Sequence, residues 1–135
     1  MTYPISQLDG CDCDAVAKLK AVGIRTTERL LEAANNVKAR RALAEKTGLD
    51  EKIILHFATM ADRMRIPGLG REYASLLEAA GVATVKELKY RNPANLAKAM
   101  AQANKDRKLV RVLPSDKAVE RWVENAKKLQ IKITY

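Results

Sequence analysis

One residue pattern runs twice through the 135-residue chain. Displaced by 58 positions, Leu8, Gly10, Leu19, Ala21, Gly23, Ile24, Thr26 and Leu30 fall on Ile66, Gly68, Leu77, Ala79, Gly81, Val82, Thr84 and Leu88. Displaced by 65, Lys52, Ile54, Phe57, Ala61, Met64 and Ile66 fall on Lys117, Val119, Trp122, Ala126, Leu129 and Ile131. The jump from 58 to 65 puts a seven-residue length difference in the middle of the copies. Amphipathic helices share a 3.6-residue period in any case, so the apolar matches alone carry little weight. The paired glycines carry more, because periodicity does not place glycines. A repeated unit buries its apolar face by packing on its neighbour. The copies occupy 1–65 and 66–135 with no Gly/Ser- or Pro-rich linker between them, which predicts two units packed as one body with pseudo-two-fold symmetry.

Each copy reads as four helices. In the second, Tyr73, Ala74, Leu76, Leu77 and Ala80 lie at helical spacing from about Gly70, and Gly81 stops that helix where a left-handed backbone is needed. Thr84 caps a short second helix, and Glu87 completes a capping-box pattern. Asn92-Pro93 opens a third helix, as a cap followed by proline at the first helical position. Pro114-Ser115 opens the fourth, whose Ala118, Val119, Trp122, Val123, Ala126 and Leu129 form a broad apolar stripe. The first copy repeats the layout, with Gly23 as a stop, Thr26 as a cap and a last helix from about Asp50 to Met64. The tail QIKITY alternates apolar and polar residues, which predicts a short strand along the body.

Composition agrees with packed helices. Apolar residues make up 47% of the chain and aromatics only 4%, so Ala, Leu, Val and Ile dominate the core. Nothing reaches the ~20 consecutive apolar residues of a membrane span, and MTYPISQLDG lacks the charged start and apolar stretch of a secretory signal. Cys11 and Cys13 stand too close for a framework disulfide. A cytoplasmic, reducing location is expected, with no membrane partner.

Charge opens the functional case. The net +9 is uneven: residues 66–135 hold 14 Lys and Arg against 7 acids, residues 1–65 hold 11 against 9. A basic balance serves solubility as well as phosphate binding, so charge alone decides nothing. The sharper signal is Ile66-Pro67-Gly68-Leu69-Gly70 followed by Ala74. This apolar, Gly-apolar-Gly, small pattern resembles the helix-hairpin-helix motif of many DNA-binding and DNA-repair proteins. Such glycines bring backbone close to a strand, and the N–H groups of the next helix start meet phosphate oxygens. The same glycines also serve simply to join two helices tightly, and Glu72 disfavours phosphate. The first copy departs further: Leu8-Asp9-Gly10-Cys11-Asp12, with Asp14 behind it, lacks the second glycine and places three carboxylates at the helix start. Those acids suit a helix dipole and not a phosphate, so this turn reads as structural.

Leu77-Glu78-Ala79-Ala80-Gly81-Val82-Ala83-Thr84-Val85-Lys86-Glu87-Leu88 resembles the helix pair in the C-terminal domain of the α chain of bacterial RNA polymerase. Nearly the whole chain is similar to a bacterial family of tandem helix-hairpin-helix-like domains without assigned activity. In that family both Gly-rich turns, the Arg91-Asn92-Pro93 step and the terminal Trp helix recur. The resemblance implies an all-α fold of two tandem four-helix, helix-hairpin-helix-like (SAM-like) units.

The expected nucleic-acid-binding residues are Gly68, Leu69, Gly70 and Arg71 in the turn, with Arg91, Lys98, Lys105 and Lys108 from the densest basic run, which also holds Arg107 and Arg111. That run reads equally as a solvated helix face. Cys11, Cys13 and His56 fall short of the four ligands of a structural zinc, and the second copy has no matching set. Cys11 matches Leu69, as a small buried hydrophobe would, and His56 matches Arg121. Ser75 and Ser115 have no histidine near in sequence, and no phosphate-cradling Walker loop occurs. The expectation is a non-enzymatic module with no cofactor, metal or small-molecule substrate, binding nucleic acid, DNA foremost, without base preference. The alternative is a protein-interaction adaptor that keeps the fold without the phosphate contacts.

Overall fold

The structure, a computed structural model, describes residues 2–8 and 10–135. Asp9, one of the three acids of the first turn, lies outside them. Among the described residues the chain is all-helical, with eight α-helices, no strand and a 3-10 turn at Ile5–Gln7. The helices are α1 (Cys13–Ala21), α2 (Thr27–Ala33), α3 (Val37–Thr47), α4 (Glu51–Arg63), α5 (Gly70–Ala79), α6 (Val85–Lys89), α7 (Pro93–Arg107) and α8 (Asp116–Lys128). None is long and apolar enough to cross a membrane.

The helix ends follow local chemistry. Thr84 Oγ1 accepts from the Glu87 N–H, Asn92 Oδ1 from Asn95 and Ser115 Oγ from Ala118, so each cap satisfies a donor the helix cannot. Asp12, Thr26, Asn36 and Asp50 do the same for α1 to α4. Glu87 departs from the predicted capping box: its carboxylate accepts from Ala83 N–H, one residue before the cap, at 3.2 Å. Gly23 and Gly81 stand at φ of 85° and 94°, the left-handed region where a β-carbon is penalised.

The same helix pairs meet in both halves. α2 packs on α4 as α6 packs on α8, α3 on α4 as α7 on α8, and α1 on α3 as α5 on α7, while α4 meets α5. The seven-residue difference is spread out: α7 has four residues more than α3, the loop after it five more, and α6 two fewer than α2. One apolar cluster extends through both halves, from Ile5 through Phe57, Leu76 and Trp122 to Ile133.

One feature departs from the sequence expectation, and a second was not anticipated by it. The tail is not a strand. Thr134 N–H donates to the Asn35 carbonyl at 2.8 Å, the Thr134 carbonyl accepts from Arg40 Nη2 at 2.8 Å, and Ile133 is buried. Of the tail's alternating apolar residues only Ile133 is buried while Ile131 and Tyr135 are exposed, and loop and side-chain partners hold the tail instead of a strand. The second is that the charges do not all lie at the surface: Arg40, Asp62 and Arg63 are buried.

Candidate nucleic-acid interface

α4 ends at Arg63, with Met64 as its C-terminal cap residue, and α5 begins at Gly70, so the Gly-rich turn joins two helices. Leu69 is buried and anchors the turn, while Gly68 and Gly70 stand at φ of 78° and 69°. The space a β-carbon would take at either glycine is open. Packing therefore does not demand these glycines; backbone conformation does. α5 alone among the eight helices has no side chain capping its N-terminus. Its first N–H groups are left without a side-chain acceptor, next to exposed Arg71 and exposed Glu72.

The first half differs at the matching place. Asp12 Oδ1 already accepts from Ala15 N–H at 2.9 Å, and Asp14 pairs with Lys18 at 2.9 Å. Cys13, the counterpart of Arg71, is exposed, and Cys11, the counterpart of Leu69, is buried. Burial and the neighbouring Asp12 push the Cys11 thiol above its ordinary value. Among the described residues no cluster of three or more His, Cys, Asp and Glu side chains is placed to hold a metal ion. His56 is half-buried, with Nδ1 3.6 Å from Glu78 Oε1.

Three of the predicted basic residues, Arg91, Lys98 and Lys105, are spread along α7 and just before it. Arg91 precedes α7 and Lys105 lies in its last turn, about 20 Å apart at 1.5 Å per residue. Lys98 and Lys105 are exposed and Arg91 half-buried. Lys108 begins the loop that carries Val112 to Tyr73, whose hydroxyl donates to the Val112 carbonyl at 2.9 Å. Beside Gly68 lies a groove of about 700 Å3 lined by Pro67, Tyr73, Leu113, Pro114, Arg121 and Trp122, among others. Val112 and Leu113 are 71% and 44% exposed there. Arg121 lines this groove with Gly68, and Arg111 directly precedes the Val112 that Tyr73 holds. Arg121 was hidden in the sequence because only the packing of α8 brings it to Gly68, whereas Arg111 already stood in the basic run.

What these elements define is an all-helical domain whose Gly-rich turn borders a largely apolar groove that also holds Arg121. Residues 10–129 match the domain of unknown function DUF4332, and the chain belongs to that family. No curated protein and no solved structure gives a match.

Proposed function

We propose that the chain is a non-enzymatic module that binds nucleic-acid backbone, DNA foremost, without reading base sequence. The fold behind this proposal is a pair of helix-hairpin-helix-like, SAM-like units, 1–65 and 66–135, and the recurring helix pairs support it. The observation that carries the function is the uncapped start of α5. Seven helix starts are closed by their own side chains; this one leaves donors and positive dipole beside two left-handed glycines and Arg71. Arg111, Arg121 and Lys108 supply further positive charge, while Glu72 works against it.

Fluorescence anisotropy with unrelated duplexes and single strands tests the proposal. Binding is expected with Kd on the order of 10⁻⁴ to 10⁻⁶ M near physiological salt, weakening steeply as salt rises. Arg71→Ala should leave the fold intact and lower the salt slope by about one. Cys13→Ala at the matching position should bind like the parent. No binding at low salt would remove the proposal.

The exposed Val112 and Leu113 favour a second reading, in which the same face docks a protein. Leu113→Asp separates the two: it should abolish an adaptor contact, while for a backbone contact it weakens binding only by its added negative charge.

A further inference from the structure

Outside the α5 turn, cations line a space beneath the C-terminal segment. Residues 129–135 leave α8 and cross to Asn35 and Arg40 of the first half. Beneath them, between α6 and the end of α4, lies a cavity of about 350 Å3. Its cations come from three places in the sequence: Arg65 after α4, Lys86 and Lys89 on α6, and Lys132 on the tail. Among the described residues its one lining side-chain carboxylate, Asp62, is buried and already shared with Arg65, 2.8 Å from Nε and 2.6 Å from Nη2. Glu87 directs its carboxylate to Ala83 N–H. Among the described residues, Lys86, Lys89 and Lys132 form no ion pair, and the Lys89 ammonium rests 5.1 Å from the Tyr90 ring centre.

Like charges gathered around one cavity repel, and an anion among them relieves that repulsion. The neighbouring cavity of about 610 Å3 shares Arg65, Ile131 and Lys132 but adds Glu28 and Glu32, so the positive excess belongs to the smaller one. The smaller cavity also carries an apolar wall of Val85, Leu129 and Ile133. Its volume is at the lower end of those that hold small ligands.

We propose that this cavity binds a small phosphate monoester, with the phosphate held by Lys86, Lys89 and Lys132 and an apolar body resting on Val85, Leu129 and Ile133. The sequence alone suggested no small-molecule ligand, because the cations stand at 65, 86, 89 and 132 and only the tail's path closes them around one space.

Isothermal titration at low salt with phenyl phosphate, inorganic phosphate and uncharged benzyl alcohol tests this site. Phenyl phosphate should bind saturably, inorganic phosphate more weakly and benzyl alcohol not at all. A Lys86→Ala/Lys89→Ala double variant should lose about tenfold in affinity, as removal of charge-assisted contacts predicts. Lys132→Glu should lose at least as much. Both change exposed or half-buried side chains, and thermal melts confirm their folding. Arg71→Ala should bind phenyl phosphate like the parent, which keeps this site separate from the proposed nucleic-acid face. The proposal falls if phenyl phosphate gives no saturable heat, if inorganic phosphate binds equally well, or if Arg71→Ala loses binding while the double variant keeps it.

Discussion

Arg63 is 1% exposed, yet it is the residue at which α4, α5 and the α5–α6 loop meet. Its Nε donates to the Ala74 carbonyl at 2.9 Å, Nη1 to Ala83 at 2.7 Å and Nη2 to Glu78 Oε2 at 3.0 Å. Burial pushes its pKa down while Glu78 and Asp62 pull it back up, and a guanidinium stays charged throughout. Arg63→Met keeps much of the volume but removes all three donors. Urea melts should show a loss of about 3 kcal/mol; a loss within about 0.5 kcal/mol, the range of ordinary surface changes, would refute the joining role. Nothing in the sequence marked Arg63 or Arg40, because a long cation on a helix reads as solvated unless the surrounding carbonyls are known. Tyr135 gives a second residue-scale test. Its phenol is pushed up to about 12, chiefly by partial burial of a residue that is still 56% exposed and then by Asp62. Because the folded value is raised, this contribution to stability is whole below the ordinary value of 10.0 and is lost as pH rises through about 12. The last step in the ultraviolet phenolate titration should disappear in Tyr135→Phe. If the same late step persists there, it does not belong to Tyr135.

At the scale of elements, punctuation was the legible part. Thr84, Asn92-Pro93, Ser115 and Asp50 each stand at the helix start they implied, because a cap acts through its own neighbours and needs no tertiary partner. The missing cap of α5 was implicit in Leu69-Gly70 but gains meaning only beside seven helices that have one. The end of α7 was less legible. Lys108 takes the left-handed conformation, φ 52° and ψ 47°, in the position that Gly48 fills after α3. A lysine there costs about 1 kcal/mol relative to glycine. Backbone cost at a residue that opens the loop leading to the candidate surface points to a role for its side chain. Lys108→Gly should therefore raise stability by about 0.5–1 kcal/mol while weakening DNA binding in the anisotropy assay. Greater stability with unchanged binding would leave Lys108 outside the interface.

Across the whole molecule, the repeat made the all-helical architecture readable, since matched glycines and apolar positions depend on local order. The ties between the halves were not readable, because they join residues nearly 100 positions apart: Thr134 to Asn35 and to Arg40. The groove beside Gly68 and the cavity under the tail were hidden for the same reason. These ties, with Arg63 across α4 and α5 and a shared apolar cluster, predict that the halves unfold together. Each half carries its own probe. Trp122 reports on the second half, and the buried Cys11 thiol on the first, once Cys13→Ala removes the exposed competitor. In the Cys13→Ala protein, Trp122 fluorescence and Cys11 reactivity toward a thiol reagent should share one urea midpoint. Arg40→Ala with Ile133→Ala removes the guanidinium tie and the tail's buried anchor, so the two midpoints should separate. Earlier exposure of Cys11 would identify the half that depends on the tail. Coincident midpoints in that double variant would mean that contact between α4 and α5 alone couples the halves, and that the tail adds stability without cooperativity.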